Sequence, residues 1–233
     1  GDYNMAHYHP GSVLTGVYYP IAEIADGNAQ YQYAEDVTLI PSCWDGKDGG
    51  SVVFHHPAYG KQDGLRNGPN YAGGIVYYPQ GISGPLPIIV MIPGYVSPIS
   101  SIDDWGPYLA SYGVVTMFVN VNNWYYDPYA RAYALLDGIV SIKLEDSRLG
   151  SPLIGSLNID DIAVGGWSMG GGGAQLASQQ DLSIQAVIAL SPWLFNAFAA
   201  LNNRVPTIYF SGQNDATAPN YLHTNLHYNN TSD

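Results

Sequence analysis

The chain has 233 residues, 46% of them hydrophobic and 11% charged, which is enough apolar material for one large folded domain and too much for extended disorder. With 7 basic and 19 acidic side chains the net charge is −12, a sign that repels phosphate backbones and anionic lipid, so neither nucleic acid nor a membrane surface is expected as a partner. Its longest apolar run, Leu86–Ile92, contains Pro87 and is far too short to cross a bilayer.

No charged, apolar and small-residue leader opens the chain, so any export signal is expected to have been removed already. Cys43 is the only cysteine, which leaves no partner for an internal disulfide and reads as an inert structural thiol rather than a metal ligand.

Residues 1–70 are loop-rich. Candidate strands at 13–19, 36–40 and 51–55 are separated by Gly, Pro, Asn and Asp clusters, as in an antiparallel meander. From Gly73 the texture changes. Short runs that are apolar throughout, at 75–78, 88–92, 114–119, 162–166, 186–190 and 207–210, suit parallel strands buried on both faces. The segments between them are long enough for crossover helices.

A helix is expected over 102–112, ended by Gly113 in the left-handed conformation. Asp127-Pro128 reads as an N-cap followed by proline at the first helical position. Behind it Leu135, Leu136, Ile139, Val140 and Leu144 recur at helical spacing, an apolar stripe expected to pack on the sheet. The alternation predicts a single doubly wound α/β domain over 1–233, with loop-rich N-terminal strands over 1–70 and a core over 71–233.

The sharpest local signal is Gly166-Trp167-Ser168-Met169-Gly170, which fits G-x-S-x-G between a buried strand and a small-residue helix. That context is a nucleophile elbow, a tight strand-to-helix turn that holds a serine above the sheet, with the free N–H groups of the helix start facing the place where negative charge would develop. A phosphate-binding loop is the competing explanation for the glycines, but its lysine is absent and its glycine order differs. Ser168 is therefore the candidate nucleophile of a serine hydrolase with the α/β-hydrolase fold.

A serine hydroxyl needs a base and an orienting acid, and in this fold the chain order is Ser, acid, His. Asp215 follows the strand at 207–210 in a turn-forming loop and is the candidate acid; it could instead cap the helix expected near Pro219. Asp181 precedes its strand and would lie at the opposite edge.

After Asp215 only His223 and His227 remain, both on the helix expected to run away from Ser168, where a solvated helix-face role is favoured over that of base. His7, His9, His55 and His56 stand out of order. The last strand and helix, with the catalytic histidine, are accordingly expected on a missing or separate C-terminal segment, a peptide of the same protein.

Several stretches resemble the bacterial polyester hydrolases, the cutinase-like and PETase-like enzymes. They are residues 165–173, Ile92-Pro93-Gly94-Tyr95 with Ser100-Ser101, Trp105-Gly106-Pro107, Leu109-Ala110-Ser111, Ser191-Pro192-Trp193 and Asn214-Asp215-Ala216-Thr217-Ala218-Pro219. The resemblance covers about Tyr71 to Asp233.

It implies a secreted bacterial carboxylic-ester hydrolase without metal or organic cofactor, acting through an acyl-enzyme on ester or polyester substrates. The backbone N–H groups of Tyr95 and Met169 would form the oxyanion hole, and Tyr95, Trp167 and Trp193 would line the substrate cleft. Gly212 stands where PETase-like enzymes carry a cysteine beside the acid loop, and the stretch 60–70 exceeds the family pattern. An esterase, lipase or peptidase with non-polymeric substrates, and a non-catalytic binding protein on a hydrolase fold, are the alternatives.

Overall fold

The apolar runs become strands covered from both sides. The computed structural model describes residues 36–39, 52–55, 59–62, 68–195 and 203–231. In chain order the elements are β1 (Asp36–Leu39), β2 (Val52–His55), β3 (Tyr59–Gln62), β4 (Tyr71–Pro79), β5 (Leu86–Ile92), α1 (Trp105–Ser111), β6 (Val115–Val121), α2 (Pro128–Glu145), β7 (Leu157–Trp167), α3 (Met169–Gln180), β8 (Ile184–Leu190), β9 (Thr207–Phe210) and α4 (Thr224–Asn230).

Strands β1 and β2 pair antiparallel as a separate ribbon, and the others form one sheet in the order β3-β4-β6-β5-β7-β8-β9. The pairings β3/β4 and β4/β6 are antiparallel and the rest parallel. This is the mostly parallel α/β-hydrolase arrangement that the strand–helix alternation implies. The strand expected at 13–19, together with His7, His9, Cys43 and His56, lies outside the described residues.

Alternation within each strand explains the unbroken apolar runs. In β5, Ile88, Val90 and Ile92 enter the core beneath α2 and α3, while Ile89 and Met91 enter the opposite core beneath α1. A strand with two buried faces has no position left for a polar residue. Each of these side chains, fully buried, contributes roughly 1.5–3 kcal/mol.

Two expectations are corrected. The stretch 60–70, expected to exceed the family pattern, opens with strand β3, whose residues 59–62 pair with β4 and extend the sheet. On α2 the buried face carries Ala134, Leu135, Gly138, Ile139 and Ile142, whereas Val140 and Leu144 are exposed. The stripe was read one register too wide, because Gly138 marks the true contact line. A Cβ there would lie 2.7 Å from Val119 Cγ1 and 2.9 Å from Val90 Cγ1, so the helix sits directly on the sheet at that point.

On the α1 side the cover is partial. A shallow apolar groove of about 220 Å³, lined by Leu109, Val114, Ala163, Ala186 and Ile188 among others, opens over β7 and β8. Beside it Ile208 of β9 is exposed, and among the described residues β9 pairs only with β8.

Candidate active site

Register brings the loops together. Ile92 pairs with Gly166, Trp167 with Leu190, and Leu190 with Phe210, so the carboxyl ends of β5, β7, β8 and β9 stand in one row. Pro93, Ser168 and Ser191 directly follow that row, and Asp215 lies five residues past Phe210. Such strand ends are where open α/β sheets place their sites.

Ser168 sits between β7 and α3 with φ 54° and ψ −120°, a conformation sparsely populated by non-glycine residues. The turn is pinned by Ser168 N donating to Leu190 O at 2.9 Å, while Ser168 O accepts from Gly172 N at 3.1 Å and from Trp193 N at 2.9 Å. Two glycines make the turn possible. A Cβ on Gly166 would lie 2.5 Å from the Gly170 carbonyl, and one on Gly170 would run into the Ile92 carbonyl oxygen.

The loop after β5 lies against the serine. An added Cβ on Gly94 would be 3.0 Å from Ser168 Cβ and 3.1 Å from Trp167 Cε3. Tyr95 follows with its ring exposed, and Val96 holds a left-handed φ of 51°. Met169 opens α3, so its N–H is one of the four that a helix start leaves without an intrahelical acceptor. Tyr95 thus follows the glycine that touches Ser168, and Met169 follows Ser168 directly at the start of α3.

Asp215 lies in the loop beyond β9. Its Oδ1 accepts from Thr217 N at 2.8 Å and Ala218 N at 2.9 Å in a local turn; the helix expected near Pro219 begins only at Thr224 with His223 at its N-cap, so Asp215 does not cap it. Only one carboxylate oxygen is occupied this way. The edge-to-row position places the loop on the same side of the sheet as Ser168.

Trp193 is half-buried, its ring 4.5 Å from that of Phe195 and 5.7 Å from that of His223 at 30°. Trp167 packs in part against the α1-side core.

The two C-terminal histidines do not reach the serine. His227 is fully buried and His223, at the N-cap of α4, is buried as well, which corrects the solvated helix-face role expected for both. Its Nδ1 accepts from Gln175 Nε2 at 3.2 Å, and Gln175 Oε1 accepts from Tyr209 OH at 3.0 Å, tying α4 to α3 and β9. Gln175 is two helical turns below Ser168, roughly 10 Å along α3.

Burial, with the neighbouring His223 adding to it, pushes the His227 pKa down to about 4. That of His223 is also lowered by burial, partly offset by the Asp215 charge, and its Nδ1 is buried without a partner. Among the described residues no hydrogen bond joins either histidine to Ser168.

One residue of the site was not anticipated. Arg131 on α2 is fully buried and donates from Nε to Tyr126 O at 3.0 Å, from Nη1 to Pro93 O at 2.9 Å and from Nη2 to Trp124 O at 3.1 Å. It ties the loop after β6 to the loop beside Ser168. The signal was available: Arg131 stands four residues before Leu135 on the face of α2 that the sequence assigns to the core.

Among the described residues no group of three or more His, Cys, Asp or Glu could hold a metal, and no helix is long and apolar enough to cross a membrane.

Residues 59–233 match the PET hydrolase-like family. Lipase 1 of Moraxella sp. (strain TA144) is 33% identical over 73% of this chain and 52% of its own length. The bis(hydroxyethyl) terephthalate hydrolase of Streptomyces coelicolor is 33% identical over 68% and 49%, and cutinase est2 of Thermobifida alba 31% over 68% and 51%. The chain spans about half the length of these relatives. With a match running from β3 through every later strand of the sheet, the chain belongs to the PET hydrolase-like family.

Proposed function

We propose that the protein is a secreted carboxylic-ester hydrolase of the polyesterase type, built as one α/β-hydrolase domain. The observation that carries this reading is Ser168 at positive φ in a strand-to-helix turn, with the Gly94 loop in contact with it. Ser168 Oγ attacks the ester carbonyl carbon and loses its proton to a histidine base. The N–H groups of Tyr95 and Met169 hold the oxyanion, each such donor lowering the barrier by about 3 kcal/mol. Collapse expels the alcohol, protonated by the same histidine, and water then cleaves the acyl-enzyme.

Asp215 orients the base with its unoccupied oxygen. Trp193, and the exposed edge of Trp167, line the acyl side of the cleft, and Tyr95 its other wall. Relatives named for cutin and for a terephthalate diester support esters of uncharged, partly aromatic acids as the substrate class.

The base is a histidine on a further C-terminal segment of the same protein. The edge of β9, unpaired among the described residues, and the half-covered groove beside it support this, as places where one more strand and helix would pack. Intact mass of the purified, denatured protein tests for such a segment.

Labelling by a fluorophosphonate probe tests the reading. Modification of the full-length protein at Ser168, lost in Ser168→Ala, is expected; an unlabelled but folded protein would leave a non-catalytic binding domain as the answer.

A further inference from the structure

The loop after β6 and the first turns of α2 carry an unusual concentration of exposed rings. Trp124 is 46% exposed, Tyr125 69%, Tyr129 48% and Tyr133 51%. Single exposed aromatics are ordinary, but a cluster of them marks an interaction surface. Tyr129 and Tyr133 stand four residues apart on α2 and so lie side by side, roughly 6 Å between Cβ atoms. Tyr125 meets the ring of Tyr95 edge-on at 5.8 Å, which joins the cluster to the rim of the proposed cleft.

The rings are held on a rigid mount. Tyr125 N donates to Asn123 Oδ1 at 2.9 Å and Tyr126 N to Asn123 O at 3.0 Å. Arg131 grips the carbonyls of Trp124 and Tyr126 from beneath, and Val96 N donates to Trp124 O at 3.0 Å. A flexible loop would fold its aromatics inward. This one holds them outward and in fixed relation to the loop beside Ser168, so little ordering entropy is lost on contact.

The charge pattern selects the occupant. From Asn122 to Tyr133 the charged residues are Asp127 and Arg131. Arg131 is fully buried, and Asp127 Oδ1 caps α2 by accepting from Ala130 N at 2.8 Å. A surface of four rings with no free cation, on a chain of net charge −12, suits an uncharged partner rich in flat faces.

We propose that Trp124, Tyr125, Tyr129 and Tyr133 form an adsorption platform for the surface of a solid aromatic polyester, feeding chain ends to the cleft past Tyr95. The choice of occupant rests on the ester-hydrolase reading; the platform itself is separate from the catalytic groups.

The test is a depletion isotherm on amorphous poly(ethylene terephthalate) powder, run beside the rate of fluorophosphonate labelling in solution. Trp124→Ser/Tyr129→Ser/Tyr133→Ser should lower the partition coefficient about tenfold or more. Trp124→Phe/Tyr129→Phe/Tyr133→Phe should stay within about twofold of wild type, because the ring faces remain. Labelling of Ser168 should be unchanged in both. Tyr129→Lys/Tyr133→Lys, confined to the exposed face of α2, gives the same direction of change if the triple serine variant fails to fold.

Wild-type adsorption by the serine variant overturns the platform. So does equally strong, equally ring-dependent binding to cellulose, which would make the ligand a polysaccharide. A wild-type dimer that the serine variant dissolves would make the occupant a second copy. Ring-dependent adsorption by a protein that never labels leaves the platform standing and removes the hydrolase reading instead.

Discussion

Replacing Arg131 with methionine keeps the bulk of the stem and deletes three donors at once. The carbonyls of Pro93 and Tyr126 would then lose their partner, while that of Trp124 keeps the bond from Val96 N. Each unsatisfied buried acceptor costs about 1–3 kcal/mol, so the gross loss is about 2–6 kcal/mol. Burying the cation opposes this. Desolvation lowers the guanidinium pKa to about 10, still charged at neutral pH, and relief of that penalty returns about 3 kcal/mol.

The net destabilisation centres on about 1 kcal/mol, against the roughly 5–15 kcal/mol that holds a domain together. In urea, with an m-value of about 2 kcal/mol/M, the unfolding midpoint of Arg131→Met should fall by about 0.5 M. The Pro93 carbonyl adjoins Gly94, so the relaxed loop should also slow labelling of Ser168 about tenfold or more while KM for a small soluble ester changes little. Arg131→Lys, with a single point charge in place of a planar fork, should fall between the two. A midpoint for Arg131→Met at or above that of wild type would refute the account, since the two stranded carbonyls should outweigh the desolvation relieved.

Two further outcomes are expected. Gly170→Ala drives a Cβ into the Ile92 carbonyl oxygen, with Pro93 O only 2.6 Å away, and both are backbone atoms of a central strand end. Thermal unfolding should shift down by several degrees and fluorophosphonate labelling should be nearly lost; a variant that labels normally would mean α3 moves freely on the sheet. His227 is neutral when folded, with its pKa near 4, so the unfolded chain takes up a proton first as the pH falls. Stability from this residue is full above about pH 6.5, declines between there and pH 4, and amounts to about 3 kcal/mol. Urea midpoints across that range should show the slope in wild type and a flatter line in His227→Phe.

The strands of the parallel core were legible because burial on both faces forces unbroken apolar runs, and β9 matches its expected bounds residue for residue. The elbow was legible from Gly166 and Gly170, whose side chains nothing else could replace without meeting backbone. The N-cap Asp127 was legible from the proline behind it, and its side chain does accept from Ala130 N.

Other features were hidden for a physical reason. Strand β3 reads Tyr-Gly-Lys-Gln; among the described residues it pairs only with β4, and an edge position has no need for apolar residues, so it carries no signal. The buried place of His227 depends on Gln175 and Tyr209, which are remote in sequence, and helical spacing alone cannot find such partners. Arg131 stands on the face that helical spacing assigns to the core, but its three backbone holders leave no mark in the sequence.

The two donors proposed for the oxyanion are main-chain N–H groups, whereas the groups proposed to line the cleft are side chains. This division separates what must stay constant from what is free to change. The floor of the site is dictated by the register of Ile92 with Gly166 and of Trp167 with Leu190, and it would persist under almost any choice of residue at positions 95 and 169. The walls, from Tyr95 to Trp193, hang on that floor without shaping it. A library that varies residues 95, 124, 125 and 193 should therefore redistribute substrate preference among folded proteins, while changes along β5 and β7 should mostly yield none.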